Sequence, residues 1–312
     1  MNRCFLVLSI WASAASAHIG TRVFPFYELT DEMLETIDIH DGSVEEWYQI
    51  GEPSMTLLDF KTGYGLDPSD LDFRIWPAWH DESNRIYAVI TTIDDVYYNE
   101  HNYNRNDGSG YMFYYDSILF TLDADHSGGT GRRKRFNYAH EELLELYGST
   151  QWYSVIAQTV SGPTIDNDIR ISQENPLRNS IGTPDSWMVF PPYGDAGGMV
   201  EGEKPALSVI EMYVTPYDWW GALDDLEQIG FSELSAYQTI GFSVMIHESE
   251  GRCSGCRIFY VPEEIGDDHR SNWLYISDFN RADVFIDGLL LPAQDTSVEP
   301  ITWGRIKASL QP

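Results

Sequence analysis

The chain has 312 residues, with 49 Asp and Glu against 19 Lys and Arg and a formal charge of −30. A surface this acidic repels nucleic acid phosphates and anionic lipid headgroups, which argues against both as partners. The 10 Trp and 19 Tyr suit strands and packed sheet faces.

Residues 1–17, MNRCFLVLSIWASAASA, read as a cleaved export signal: Arg3 precedes an apolar run from Phe5 to Ala12, and the small residues Ala15-Ser16-Ala17 follow. That run is too short to span a bilayer, and no later segment approaches the ~20 apolar residues that would. Residues 18–312 are therefore expected to form one secreted or periplasmic domain without membrane insertion. His18 would become the new N-terminus, where amine and ring together could chelate copper, but no other His stands at a diagnostic spacing from it.

Thr30 is placed to cap a short helix from Asp31 to Ile37. The runs 72–79 and 85–93 are rich in β-branched and aromatic residues and flank HDESN at 80–84, the pattern of a hairpin. Asp94-Asp95 follows, and adjacent residues on a strand point to opposite faces, so this pair cannot supply both carboxylates of a glycosidase at one site.

In DSILFTLDADHSGG at 116–129, Ile118, Phe120 and Leu122 alternate with Ser117 and Thr121, the period of a strand with one buried face. Asp123, Asp125 and Ser127 then offer oxygens at every second position before Gly128, the first half of an EF-hand-type calcium loop. Lys134 stands where the bidentate Glu would come. A full loop is excluded, and the segment is either a calcium site completed from elsewhere or a solvated turn.

Residues 140–147 carry a short helical pattern, 152–160 and 207–215 read as strands, and Thr215-Pro216 signals a helix running to Ile229. Strands at 239–247 and 257–261 flank Cys253 and Cys256. A redox pair would open a helix, whereas this one lies between strands, so a disulfide across a hairpin turn is expected. Mostly strands with short helices in the connections predict an all-β fold, an antiparallel β-sandwich.

Five segments, in order, resemble the family 9 carbohydrate-binding modules, a jelly-roll sandwich related to the DOMON domains: HDGSVEEW at 40–47, DFRIWPAWHDESNRIYAVITTIDDVYYN at 72–99, the 116–129 segment, VIEMYVTPYDW at 209–219 and TIGFSVMIHES at 240–249. The resemblance implies a non-catalytic module that clamps a polysaccharide or oligosaccharide between aromatic side chains, binds structural calcium, and serves polysaccharide catabolism beside a partner glycoside hydrolase. Carried over by position, it implies sugar contacts at Phe113, Tyr153 and Phe279, with Trp273 as an alternative. Leu119 and Tyr153 replace the charged residues of the family's pattern. A glycoside-active enzyme, and an interaction protein whose sandwich has lost the sugar site, stay open as alternatives.

Overall fold

The computed structural model describes residues 23–60, 67–98, 116–126, 151–157, 169–173, 191–202, 204–220, 229–248, 257–260 and 286–293. The export signal with His18, the helical pattern at 140–147, and Phe113, Ser127, Lys134, Cys253, Cys256, Trp273 and Phe279 lie outside them.

Side-chain alternation builds the central strands. In β3 (Leu71–His80) and β4 (Arg85–Asp94) the two runs pair antiparallel without a break from Leu71 opposite Asp94 to His80 opposite Arg85, the hairpin expected around 80–84. Asn84 takes the left-handed conformation there, with φ 51°, which Asn tolerates better than most residues. Its side chain donates to the Ser232 carbonyl (2.5 Å) and accepts from the Leu234 N–H (3.0 Å), fixing a distant connection to the hairpin.

β1 (Val23–Glu28), β2 (Met55–Thr56), β5 (Ser117–Asp123), β6 (Gln151–Ala157), β7 (Ile169–Gln173), β8 (Gly194–Glu201), β9 (Ala206–Val214), β12 (Thr239–Glu248), β13 (Arg257–Tyr260) and β14 (Ile286–Leu291) complete one large sheet. Its order is β7-β6-β5-β12-β14-β1-β3-β4-β9-β8, with β13 beside β12 and β2 beside β3. The end strands β7 and β8 come back into contact, so the sheet curls around its core. The all-β fold is as expected, but the pairing is mixed: β1 runs parallel to both β14 and β3.

A second correction falls on 215–229. Tyr217–Trp220 is a strand, β10, paired antiparallel with β11 (Ile229–Phe231). Pro216 is as compatible with a strand entry as with a helix start. Aromatic residues at 217, 219 and 220 favour the strand, and the Tyr217 N–H donates to Gln151 Oε1 (3.0 Å) instead of opening a helix. The Thr30 cap forms, its hydroxyl accepting from the Met33 N–H (3.3 Å), although helix α1 (Asp31–Leu34) stops short of Ile37. Among the described residues no helix is long and apolar enough to cross a membrane.

Two apolar layers result. Inside the curl lie Phe26, Ile75, Ile90, Phe120, Met212, Phe242 and their neighbours. On the outer face of β3, β4 and β9, the alternate residues Trp76, Val89, Val209 and Tyr213 are covered by Leu29, Val44, Trp47 and Ile50. The segment 29–50 is thus a lid of chain over a strand face that would otherwise be wet.

Candidate functional site

Among the residues expected to bind sugar or metal, three are described. Tyr153 on β6 is 0% exposed and belongs to the inner core. Its hydroxyl accepts from the Gln151 side-chain amide (2.5 Å), which also donates to the Thr215 carbonyl (2.9 Å). Burial pushes its phenol well above the ordinary tyrosine range. A sugar could reach this ring only if the surrounding strands opened. Asp123, at the end of β5, is also wholly buried, while Asp125 two residues on is exposed. Asp94 is buried and Asp95 exposed, the opposite placement that strand geometry requires.

A different acidic constellation lies under the chain that covers β9. Along this strand Ile210, Met212 and Val214 point into the inner core, so Glu211 shares the outer face with Val209 and Tyr213. Its register partners are Val89 on β4 and Gly197 on β8. Position 197 has no room for a side chain: a Cβ there would stand 2.2 Å from the Ile39 carbonyl oxygen and 2.4 Å from His40 Nδ1. The glycine lets the 39–43 loop lie directly on β8, and the His40 ring holds it there through Asp195 (Nε2 to Oδ2, 3.2 Å). Gly42, at φ 68° and pressed against Met199, then turns the loop back toward β9.

This path delivers Asp41 and Glu46 to Glu211. One ligand oxygen from each of the three carboxylates lies within 4.8 Å of the others. Each acid is anchored by one oxygen. Asp41 Oδ1 accepts from the Ser43 N–H (2.7 Å), Glu46 Oε2 from the Ser43 hydroxyl (2.5 Å), and Glu211 Oε1 from the Trp47 indole N–H (2.8 Å). Glu46 Oε1 is buried with no hydrogen-bond partner among the described residues, while Glu211 is approached by the Gly42 backbone N–H as well as by Trp47. Exposure grades across the group, from exposed Asp41 through half-buried Glu46 to Glu211 at 0%.

Burial pushes the Glu211 carboxyl up to about 8; the hydrogen bonds from the Trp47 indole and the Gly42 backbone N–H oppose that shift, and the neighbouring charges of Glu46 and Asp41 add to it. Glu46 is raised as well, chiefly by desolvation. Among the described residues this is the group whose His, Cys, Asp or Glu side chains converge closely enough to hold one metal ion. Sequence reading named both segments but did not join them. A signal was present in ALSVIEMYV, where Glu211 is the one charged residue of a largely apolar strand, because a buried acid requires a partner.

No protein-family profile matches the chain, and no curated protein matches it. Among solved structures it is similar to a family 9 carbohydrate-binding module from Caldicellulosiruptor kristjanssonii in complex with glucose, at a TM-score of 0.48 and 10% identity, over 88% of this chain and 100% of that one. The same organism's family 9 module in complex with cellotriose gives 0.46 and 12% identity, over 89% and 99% of the two chains.

Proposed function

We propose that this protein is a non-catalytic, exported carbohydrate-binding module that stacks a glycan on aromatic side chains and uses calcium structurally. The observation that carries the reading is the position of the five family-like segments in the fold. Residues 72–94 form the β3–β4 hairpin, 117–123 form β5, 209–214 and 217–219 lie in β9 and β10, and 240–248 lie in β12. The fifth, 40–47, supplies the loop and turn over β9. Segments that resemble the module thus supply the central strands and their cover, not peripheral loops.

Phe113, Phe279 and Trp273 are the proposed stacking residues, since the flat face of a pyranose packs on an aromatic ring while polar groups select its hydroxyl pattern. Tyr153 contributes from within the core, by holding β6 in place. The test is a glycan array followed by calorimetry with the oligosaccharides that bind. Phe113→Ala and Phe279→Ala should each remove binding while leaving the circular dichroism spectrum unchanged. A folded wild-type protein that binds no glycan on a broad array would overturn the proposal, and release of products from a polysaccharide panel would replace it with an enzymatic one.

A further inference from the structure

We propose that residues 229–238 form a second glycan-binding surface, with the Tyr237 ring as its stacking platform. Only the class of ligand rests on the glycan-binding reading above; the place and the residues are different. Phe113 and Phe279 precede β5 and β14 in sequence, whereas Tyr237 precedes β12. Both β5 and β14 run antiparallel to β12, so β12 starts at the end of the sheet where they finish.

Three observations carry it. First, the segment is pinned where it crosses that end. Asn84, just before β4, holds Ser232 and Leu234. The Tyr237 N–H donates to the Leu290 carbonyl (2.6 Å) and the Leu290 N–H to the Gln238 carbonyl (2.9 Å) on β14. The Gln238 side-chain amide donates to the Ala124 carbonyl (3.2 Å), just past β5. A ring carried on so constrained a path is pre-positioned, which lowers the entropy lost on binding.

The second observation is the backbone of Tyr237 itself. At φ 68° it takes the left-handed conformation, unfavourable for a bulky residue. A turn alone is made more easily with Gly, or with Asn as at Asn84. A Tyr held in this conformation points to a role for its side chain. Third, that side chain does not pack. Ser232 and Leu234 are buried, whereas Glu233, Ser235, Ala236 and Tyr237 are exposed, Tyr237 at 71%. Among the described residues the exposed large apolar side chains are Val23, Leu58 and Tyr237, and Tyr237 is the one aromatic.

The chemistry selects the ligand. An open phenol ring suits the axial C–H bonds of a pyranose, while the Tyr237 hydroxyl, Ser235 and Glu233 offer hydrogen bonds to the hydroxyls of the sugar. Earlier on the segment Phe231 stacks on Tyr193, their centroids 5.7 Å apart and their planes 5° from parallel, with both rings partly exposed. That pair offers an extended glycan a second flat surface. A protein partner would need a contiguous apolar patch, and here Glu233 and Ser235 separate the rings. The charge of −30 disfavours an anionic ligand.

The test uses native gels containing hydroxyethyl-cellulose, xylan, laminarin or galactomannan, which retard a protein that binds them. A double variant, Phe113→Ala with Phe279→Ala, lacks the stacking residues of the first surface and should still be retarded in at least one gel. Adding Tyr237→Asn, which tolerates the left-handed backbone but has no ring, should weaken that binding roughly tenfold or more. Leu58→Asn, at an exposed apolar residue elsewhere, should change nothing. The melting temperature of Tyr237→Asn should equal or exceed that of the wild type, because strain is relieved and no packing is lost. A fall of several degrees would make Tyr237 a structural residue and overturn the proposal, as would retardation that survives Tyr237→Asn. A wild-type chain that is retarded, with a double variant that is not, would overturn the second surface and leave the first standing. A wild-type chain retarded in none of the gels would overturn both.

Discussion

A methyl group at position 197 should lift the 39–43 loop off β8. In Gly197→Ala the new Cβ would stand 2.2 Å from the Ile39 carbonyl oxygen and 2.8 Å from His40 Cα. Nonbonded heavy atoms settle near ~3.5 Å, so the loop must retreat by about 1 Å or the strand must bend away. The obstacle is backbone, which cannot escape by changing rotamer. Overpacking of this kind costs about 1–3 kcal/mol, and the upper half of that range is expected because the His40–Asp195 contact and the approach of Asp41 to Glu211 are disturbed together. Urea unfolding followed by circular dichroism should show a lower midpoint with an unchanged slope. Tryptophan emission should shift to the red as Trp47, at 0% exposure, gains water. A Gly197→Ala protein as stable as the wild type, with unshifted emission, would refute the claim that this glycine exists to admit the loop.

Trp47→Phe keeps most of the apolar ring but leaves Glu211 Oε1 without its donor, and should cost about 2 kcal/mol in urea unfolding; an unchanged midpoint would remove the bond at 2.8 Å from the account. The Tyr48 hydroxyl is buried with no hydrogen-bond partner among the described residues, so Tyr48→Phe should be neutral or stabilising by up to ~1 kcal/mol. Burial also pushes Tyr48 up to about 12, so the folded chain keeps a proton that the unfolded chain releases near its ordinary value of about 10. Stability should therefore fall as pH rises from about 10 toward 12, less steeply in Tyr48→Phe, as read from melting temperatures across that range. Tyr153→Phe removes the acceptor of a buried amide donor and should cost about 1 kcal/mol, with no effect on the affinity for any glycan that binds; a loss of affinity without a loss of stability would place Tyr153 at the ligand.

Local chemistry alone determined the main strands and their faces. The continuous apolar run Ile86–Ile90 specifies a strand covered on both faces, and the structure packs Ile86, Ala88 and Ile90 into the inner core and Tyr87 and Val89 into the outer layer. The 80–84 turn and the Thr30 cap are likewise contacts between near neighbours in sequence, legible because their partners are only a few residues away. The signal at Thr215-Pro216 misled because Pro fits the start of a helix and the entry to a strand equally. The decision fell to Gln151, whose side chain accepts the Tyr217 N–H across 66 residues of sequence.

Register and convergence belong to the tertiary structure. No local pattern states that β1 runs parallel to β14 and β3, since parallel and antiparallel edges present the same side chains to either face. The ring of Tyr153 is a core group because β5 and β7 flank β6, which its own sequence neighbourhood does not reveal. The acidic cluster is the clearest case. Sequence supplied a loop with Asp41 and Glu46 and, separately, one Glu in an apolar strand. A bond from Trp47 to Glu211, spanning 164 residues, and a glycine on a third strand brought them together. Composition made the chain acidic; only folding put three of those acids side by side.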